Sequence, residues 1–120
     1  MLMGKLILAA LACIALAGGA RAQTAIILAP LDVASVTTGG TAVTAVAHYN
    51  RLKGGWLQNP STATTNLCIN EMDAAAATTT PGGNVACIAP GQTYLLAPSG
   101  NSVSVVSSDS AHAFSGYAWR

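Results

Sequence analysis

The chain predicts an all-β fold: a small antiparallel β-sandwich, or a partly open barrel, of about seven to nine short strands behind a signal peptide. Three observations carry that expectation. Short β-prone runs recur along the chain, separated by clusters of Gly, Pro, Asn and Ser. Nothing after residue 22 keeps a helical period over a useful length. The most helix-friendly run, DAAAATTT from Asp73, has four alanines, then three β-branched threonines and Pro81-Gly82-Gly83. It is too short to stand as a helix and reads as a loop.

The first element is a leader. Lys5 precedes an apolar run from Leu6 to Leu16, followed by Gly18, Gly19 and Ala20-Arg21-Ala22. A positive start, an apolar core too short to span a bilayer and small residues two apart fit a secretory signal peptide over residues 1–22. An uncleaved anchor is the rival reading, against which stand the shortness of the run and its glycine end. Residues 23–120 then form one domain, near the size at which a single core suffices.

Nine runs follow in order: TAIILA from Thr24, DVASVT from Asp32, TAVTAVAHY from Thr41, GWLQN from Gly55, NLCINEM from Asn66, NVACIA from Asn84, QTYLLA from Gln92, SVSVVS from Ser102 and AHAFSGYAW from Ala111. Alternation puts Leu67, Ile69 and Glu71 on one face and Cys68 on the other, while Val85, Cys87 and Ala89 share a face. Pro90 and Gly91 between Ala89 and Gln92 have type II turn chemistry, proline pre-setting the first φ and glycine accepting the positive second one. In GGWLQNP, Gly54 and Gly55 allow a sharp turn or a close backbone approach. Trp56 and Leu57 point to opposite faces, so at least one is core. Asn59 can cap a turn, and Pro60 cannot donate to a ladder, so the strand stops there. A ligand-stacking role for Trp56 is the alternative to packing.

Loss of the leader removes Cys13 and leaves Cys68 and Cys87. An even pair in an exported chain favours a disulfide; two buried thiols on neighbouring strands is the other reading. A bridge requires the two runs to lie side by side or face to face.

Charge excludes several functions. After residue 22 the bases are Arg51, Lys53 and Arg120 and the acids Asp32, Glu71, Asp73 and Asp109, a net of minus one. No basic stripe exists to neutralise phosphates or anionic lipid, so no nucleic acid is expected, and a membrane only through the signal peptide. No cofactor, metal or catalytic site is expected either. Two cysteines without clustered histidine do not make a zinc site. The SSDSAH run, Ser107 to His112, lacks a nucleophile elbow and is turn-like; a hydrolase there would depend on Ser108 or His112. Glu71 and Asp73 read as solvated residues flanking a loop, and His48 and His112 as structural or surface histidines.

The order TTGGTAVTAV, GGWLQNP, NLCIN, IAPGQTYLLAPSG and SVSVVSSDSAHAFSGYAW resembles a group of short phage and prophage proteins over Ala25 to Trp119. The resemblance rests on Gly54, Gly55, Trp56, Asn59 and Pro60, on Pro90, Gly91 and Gln92, and on His112, Phe114 and Trp119. It implies a virion-associated β-sandwich without catalytic residues. The expected function is therefore a non-enzymatic capsid, tail-surface or decoration component of a phage-like particle. It would assemble with other virion or surface proteins, including copies of itself, through sheet edges and polar faces. The alternative is an exported adhesin-, pilus- or glycan-binding module. Either would sit in the periplasm, outside the cell or on the virion surface.

Overall fold

A computed structural model describes residues 28–72 and 78–120. The leader, the run TAII ahead of Leu28 and residues 73–77 of the alanine run, Asp73 included, lie outside the described residues.

Each of the nine runs contains a strand. They are β1 (Leu28–Pro30), β2 (Ser35–Val36), β3 (Val43–Val46), β4 (Gly55–Gln58), β5 (Leu67–Asn70), β6 (Val85–Ile88), β7 (Thr93–Leu96) and β8 (Val103–Val106). The last run supplies two, β9 (His112–Ala113) and β10 (Ser115–Trp119), which makes ten strands among the described residues against the about seven to nine expected. The split falls at Phe114 for a physical reason. β9 pairs with β2, Phe114 donates its N–H to the Ala34 carbonyl at 2.9 Å, and the chain then crosses to another sheet.

All ladders among the described residues are antiparallel. One sheet has the order β1-β10-β4-β7, a second the order β3-β8-β5-β6, and β2-β9 forms a small pair between elements. The core is the contact of the two large sheets' inner faces. Ala29, Leu57, Leu96 and Ala118 come from the first sheet; Ala45, Val46, Leu67, Ile69, Ile88, Val103 and Val105 come from the second. Val36 and Phe114 join the same cluster. Side chains from both sheets in one cluster make this a sandwich rather than an open barrel. The period of two sorts the first sheet cleanly: Leu57 and Leu96 point in, Trp56 and Leu95 point out.

The GGWLQNP segment works as its chemistry requires. Gly54 has φ +92° and turns the chain into β4, its N–H donating to the Arg51 carbonyl at 2.9 Å. Gly55 serves the other purpose: a Cβ there would lie 2.5 Å from the Tyr117 carbonyl oxygen, so β10 packs where any side chain would block it. Gln58 is the last residue of β4, just ahead of Asn59-Pro60. At the far end of β6 the type II turn is present. Gln92 N–H donates to the Ala89 carbonyl at 3.0 Å, Gly91 has φ +85°, and the Gln92 side-chain oxygen accepts from Ala89 N–H at 2.8 Å.

Cys68 and Cys87 are bridged, directly opposite each other in the β5–β6 ladder with Cα atoms 4.0 Å apart. The two runs lie side by side. The bridge sits on the outer face of the second sheet, packed with Val106, Val85 and Ala42 in a small cluster of its own. Such a bond suits an oxidising, exported setting. No helix among the described residues is long and apolar enough to cross a membrane.

Candidate functional site

Two buried polar clusters close the ends of the sandwich, and one exposed apolar face covers its side. At the end where β4 begins, Arg51 is 1 % exposed. Its Nη1 donates to Glu71 Oε1 at 2.7 Å and to the Ala97 carbonyl at 2.6 Å, its Nη2 to the Glu71 carbonyl at 2.8 Å, and its Nε to the Asn101 carbonyl at 2.9 Å. The Glu71 carboxylate also accepts from Tyr94 Oη at 2.8 Å and from Ala97 N–H at 2.9 Å. Glu71 is thus not the solvated loop residue its sequence context suggests. It neutralises a buried guanidinium, and burial of an ion is tolerable only with such a partner. Burial, helped by the hydrogen bond to Glu71 and the charge of Glu71, pushes the Tyr94 phenol up to about 12, with Arg51 pulling the other way.

At the end where β4 stops, Asn59 is buried and does more than cap its own turn. Its Nδ2 donates to the carbonyls of Thr65 (3.0 Å) and Ile88 (3.1 Å), which fixes the amide's orientation. Its Oδ1 can then only accept, so His112 Nε2, 2.8 Å away, carries the proton. His112 Nδ1 lies 2.9 Å from Ser107 Oγ, which lies 2.9 Å from Thr65 Oγ1. Thr64 and Thr65 hydroxyls donate to Asp109 Oδ2 at 2.8 and 3.1 Å.

This brings a serine, a histidine and an amide into a line, but not the serine expected. Ser107 is the partner of His112, while Ser108 is exposed. Ser107 is 1 % exposed and its oxygen already meets His112, Thr65 and the Asp109 N–H. The cluster ties β4, β6, β8 and β9 together. Every buried side-chain nitrogen and oxygen among the described residues has a hydrogen-bond partner. An open hollow of about 320 Å³ lies above it, lined by Pro60, Thr64, Asp109 and His112. Among the described residues there is no group of three or more His, Cys, Asp or Glu placed to hold a metal. His48 is exposed and its ring lies 6.1 Å from that of Tyr49.

The third feature is the outer face of the β1-β10-β4-β7 sheet. Register places Pro30 opposite Tyr117, Tyr117 opposite Trp56 and Trp56 opposite Leu95, one apolar row across all four strands. Leu28 opposite Trp119 begins a second row. Leu95 is 77 %, Leu28 60 % and Tyr117 47 % exposed. The Trp56 and Tyr117 rings are 6.0 Å apart and tilted by 60°. Beside them a shallow groove of about 310 Å³ is lined by Pro30, Leu31, Trp56, Phe114, Gly116 and Tyr117. Trp56 and Trp119 therefore belong to this face, both half-buried, whereas Phe114 reaches the core. An exposed apolar row spanning a sheet exceeds the scattered single apolar residues of a routine surface. The sequence signal for it was the pair of apolar phases in TYLL and in GYAW, each apolar on both sides of the strand.

No protein-family model, curated protein or solved structure matches the chain.

Proposed function

We propose that this protein is a non-enzymatic structural component at the surface of a phage-like particle, held there by protein–protein contacts. The observation that carries the reading is the exposed row Pro30–Tyr117–Trp56–Leu95 on a domain whose Ser107 and His112 are buried in a structural hydrogen-bond network. A domain that worked alone would gain solubility by placing polar residues on that face. Ser107 and His112 serve as ties between strands, which supports a role without catalysis. Export through the leader and closure of the Cys68–Cys87 bridge suit a coat component that passes through an oxidising compartment.

The same face supports a second reading, an exported adhesin- or glycan-binding-type module. Trp56 and Tyr117 are aromatic, and the next row along the strands, Ser115, Gln58 and Thr93, offers hydroxyl and amide partners. Mass spectrometry of purified particles and of the cell envelope separates the two. The particle reading expects the chain at fixed stoichiometry in the particles. Its absence from every particle fraction, with recovery on the envelope or on immobilised polysaccharide, overturns that reading in favour of the second.

A further inference from the structure

We infer that the occupant of the outer face of the β1-β10-β4-β7 sheet is a second copy of this chain, stacked face to face about a two-fold axis running along the strands. The inference rests on the assembly reading above and names its partner.

The geometry of one row carries it. The order Pro30, Tyr117, Trp56, Leu95 runs from edge strand to edge strand. Turning a second copy over about an axis parallel to the strands, midway between β10 and β4, lays Leu95 of each copy over Pro30 of the other. It also lays Trp56 over Tyr117. The most exposed apolar side chain of the face, Leu95, thereby meets the shallow groove beside Pro30 and Tyr117, twice, as an isologous contact requires.

Charge agrees. The outward residues of the four strands are Leu28, Pro30, Trp56, Gln58, Thr93, Leu95, Ser115, Tyr117 and Trp119. None is a carboxylate, ammonium or guanidinium, so laying the face on itself brings no like charges into contact. The same neutrality disfavours an ionic partner such as a nucleic acid or an anionic membrane.

Size sets the strength. Four strands about 4.8 Å apart and three to five residues long make a face roughly 19 Å wide and about 10–17 Å long, whose projecting side chains raise its accessible area above that footprint. Two such faces bury on the order of 1,000 Å² in total, at the low end for a specific interface, so the pair is a micromolar dimer rather than an obligate one.

The test uses the protein as recovered from the exporting cell. Sedimentation equilibrium from roughly 1 to 200 µM, a range bracketing that affinity, is expected to show mass rising from one chain to two. Leu95→Glu, at an exposed edge position, is expected to weaken the dimer at least tenfold while the urea midpoint holds. Separately tagged Pro30→Cys and Leu95→Cys chains are expected to cross-link to each other through a short bismaleimide. A monomer at every concentration, or a dimer indifferent to Leu95→Glu, overturns the inference. So does a monomer whose Trp56 emission responds to soluble polysaccharide, which assigns the face to a glycan. If the monomer is still found in particles, the self-stacking inference falls and the structural role stands. A Leu95-dependent dimer missing from all particles has the opposite consequence.

Discussion

Replacing Glu71 with alanine attacks the least replaceable polar contact in the domain. Arg51 keeps three carbonyl partners but loses its counter-charge, while Tyr94 Oη and Ala97 N–H lose their acceptor. Removing one partner of a buried ion pair costs about 3–5 kcal/mol, most of it from the charge left behind. The Glu71 side chain is 21 % exposed, and water can replace part of it, so the lower end applies: about 3 kcal/mol. Against a total of roughly 5–15 kcal/mol for a domain this size, that is a fifth or more of its stability. Urea unfolding followed by tryptophan emission should show the midpoint falling by about 2–3 M at an unchanged slope. Tyr94→Phe alone should cost about 1–2 kcal/mol, and almost nothing in the Glu71→Ala background, because both changes remove the same hydrogen bond. A loss under about 1 kcal/mol, the value of a surface pair, would refute the reasoning.

Three further outcomes follow from other contacts. The Tyr94 phenol is raised from 10.0 to about 12 in the fold, so the native state favours its neutral form. That contribution is complete below pH 10 and lost as pH rises toward 12; circular dichroism melts across this window should show a steeper decline for the native chain than for Tyr94→Phe. Reduction of Cys68–Cys87, 19 residues apart, should lower stability by about 3 kcal/mol in the chain-entropy model, read as a drop in the urea midpoint with and without dithiothreitol. Asn59→Ala should cost about 2–4 kcal/mol, since it strands the carbonyls of Thr65 and Ile88 and the Nε2 proton of His112 in a buried site. Thermal unfolding by calorimetry checks it, and an unchanged melting temperature would show that the network is dispensable.

What was readable in the chain is what is decided locally. The positive φ at Gly54, the type II turn at Pro90-Gly91 and the end of β4 before Pro60 depend on neighbours in sequence, and each can be reasoned from residue type. The Cys68–Cys87 pairing was readable because these two are the cysteines that lie beyond the apolar N-terminal run, each in a β-prone stretch. The ion pair was not. Arg51 and Glu71 are twenty residues apart, each flanked by turn residues, and both look like surface charges until the sheets bring carbonyls of Ala97 and Asn101 around the guanidinium. Asn59 meets His112 across 53 residues of sequence, unreadable for the same reason. The exposed apolar face was half readable. Alternation shows that Leu95 and Leu96 lie on opposite sides of β7 but not which side is core; only the register with Trp56 and Tyr117 decides it.

The sulfur bond between β5 and β6 also sets what happens when the backbone is cut. It joins the chain on either side of the segment between Met72 and Thr78, so a protease acting there yields two peptides that remain one molecule. The nicked form would run as a single band without reductant and as two with it. The same connection makes that stretch a natural place to graft a foreign epitope, because the flanking strands stay stapled whatever is inserted.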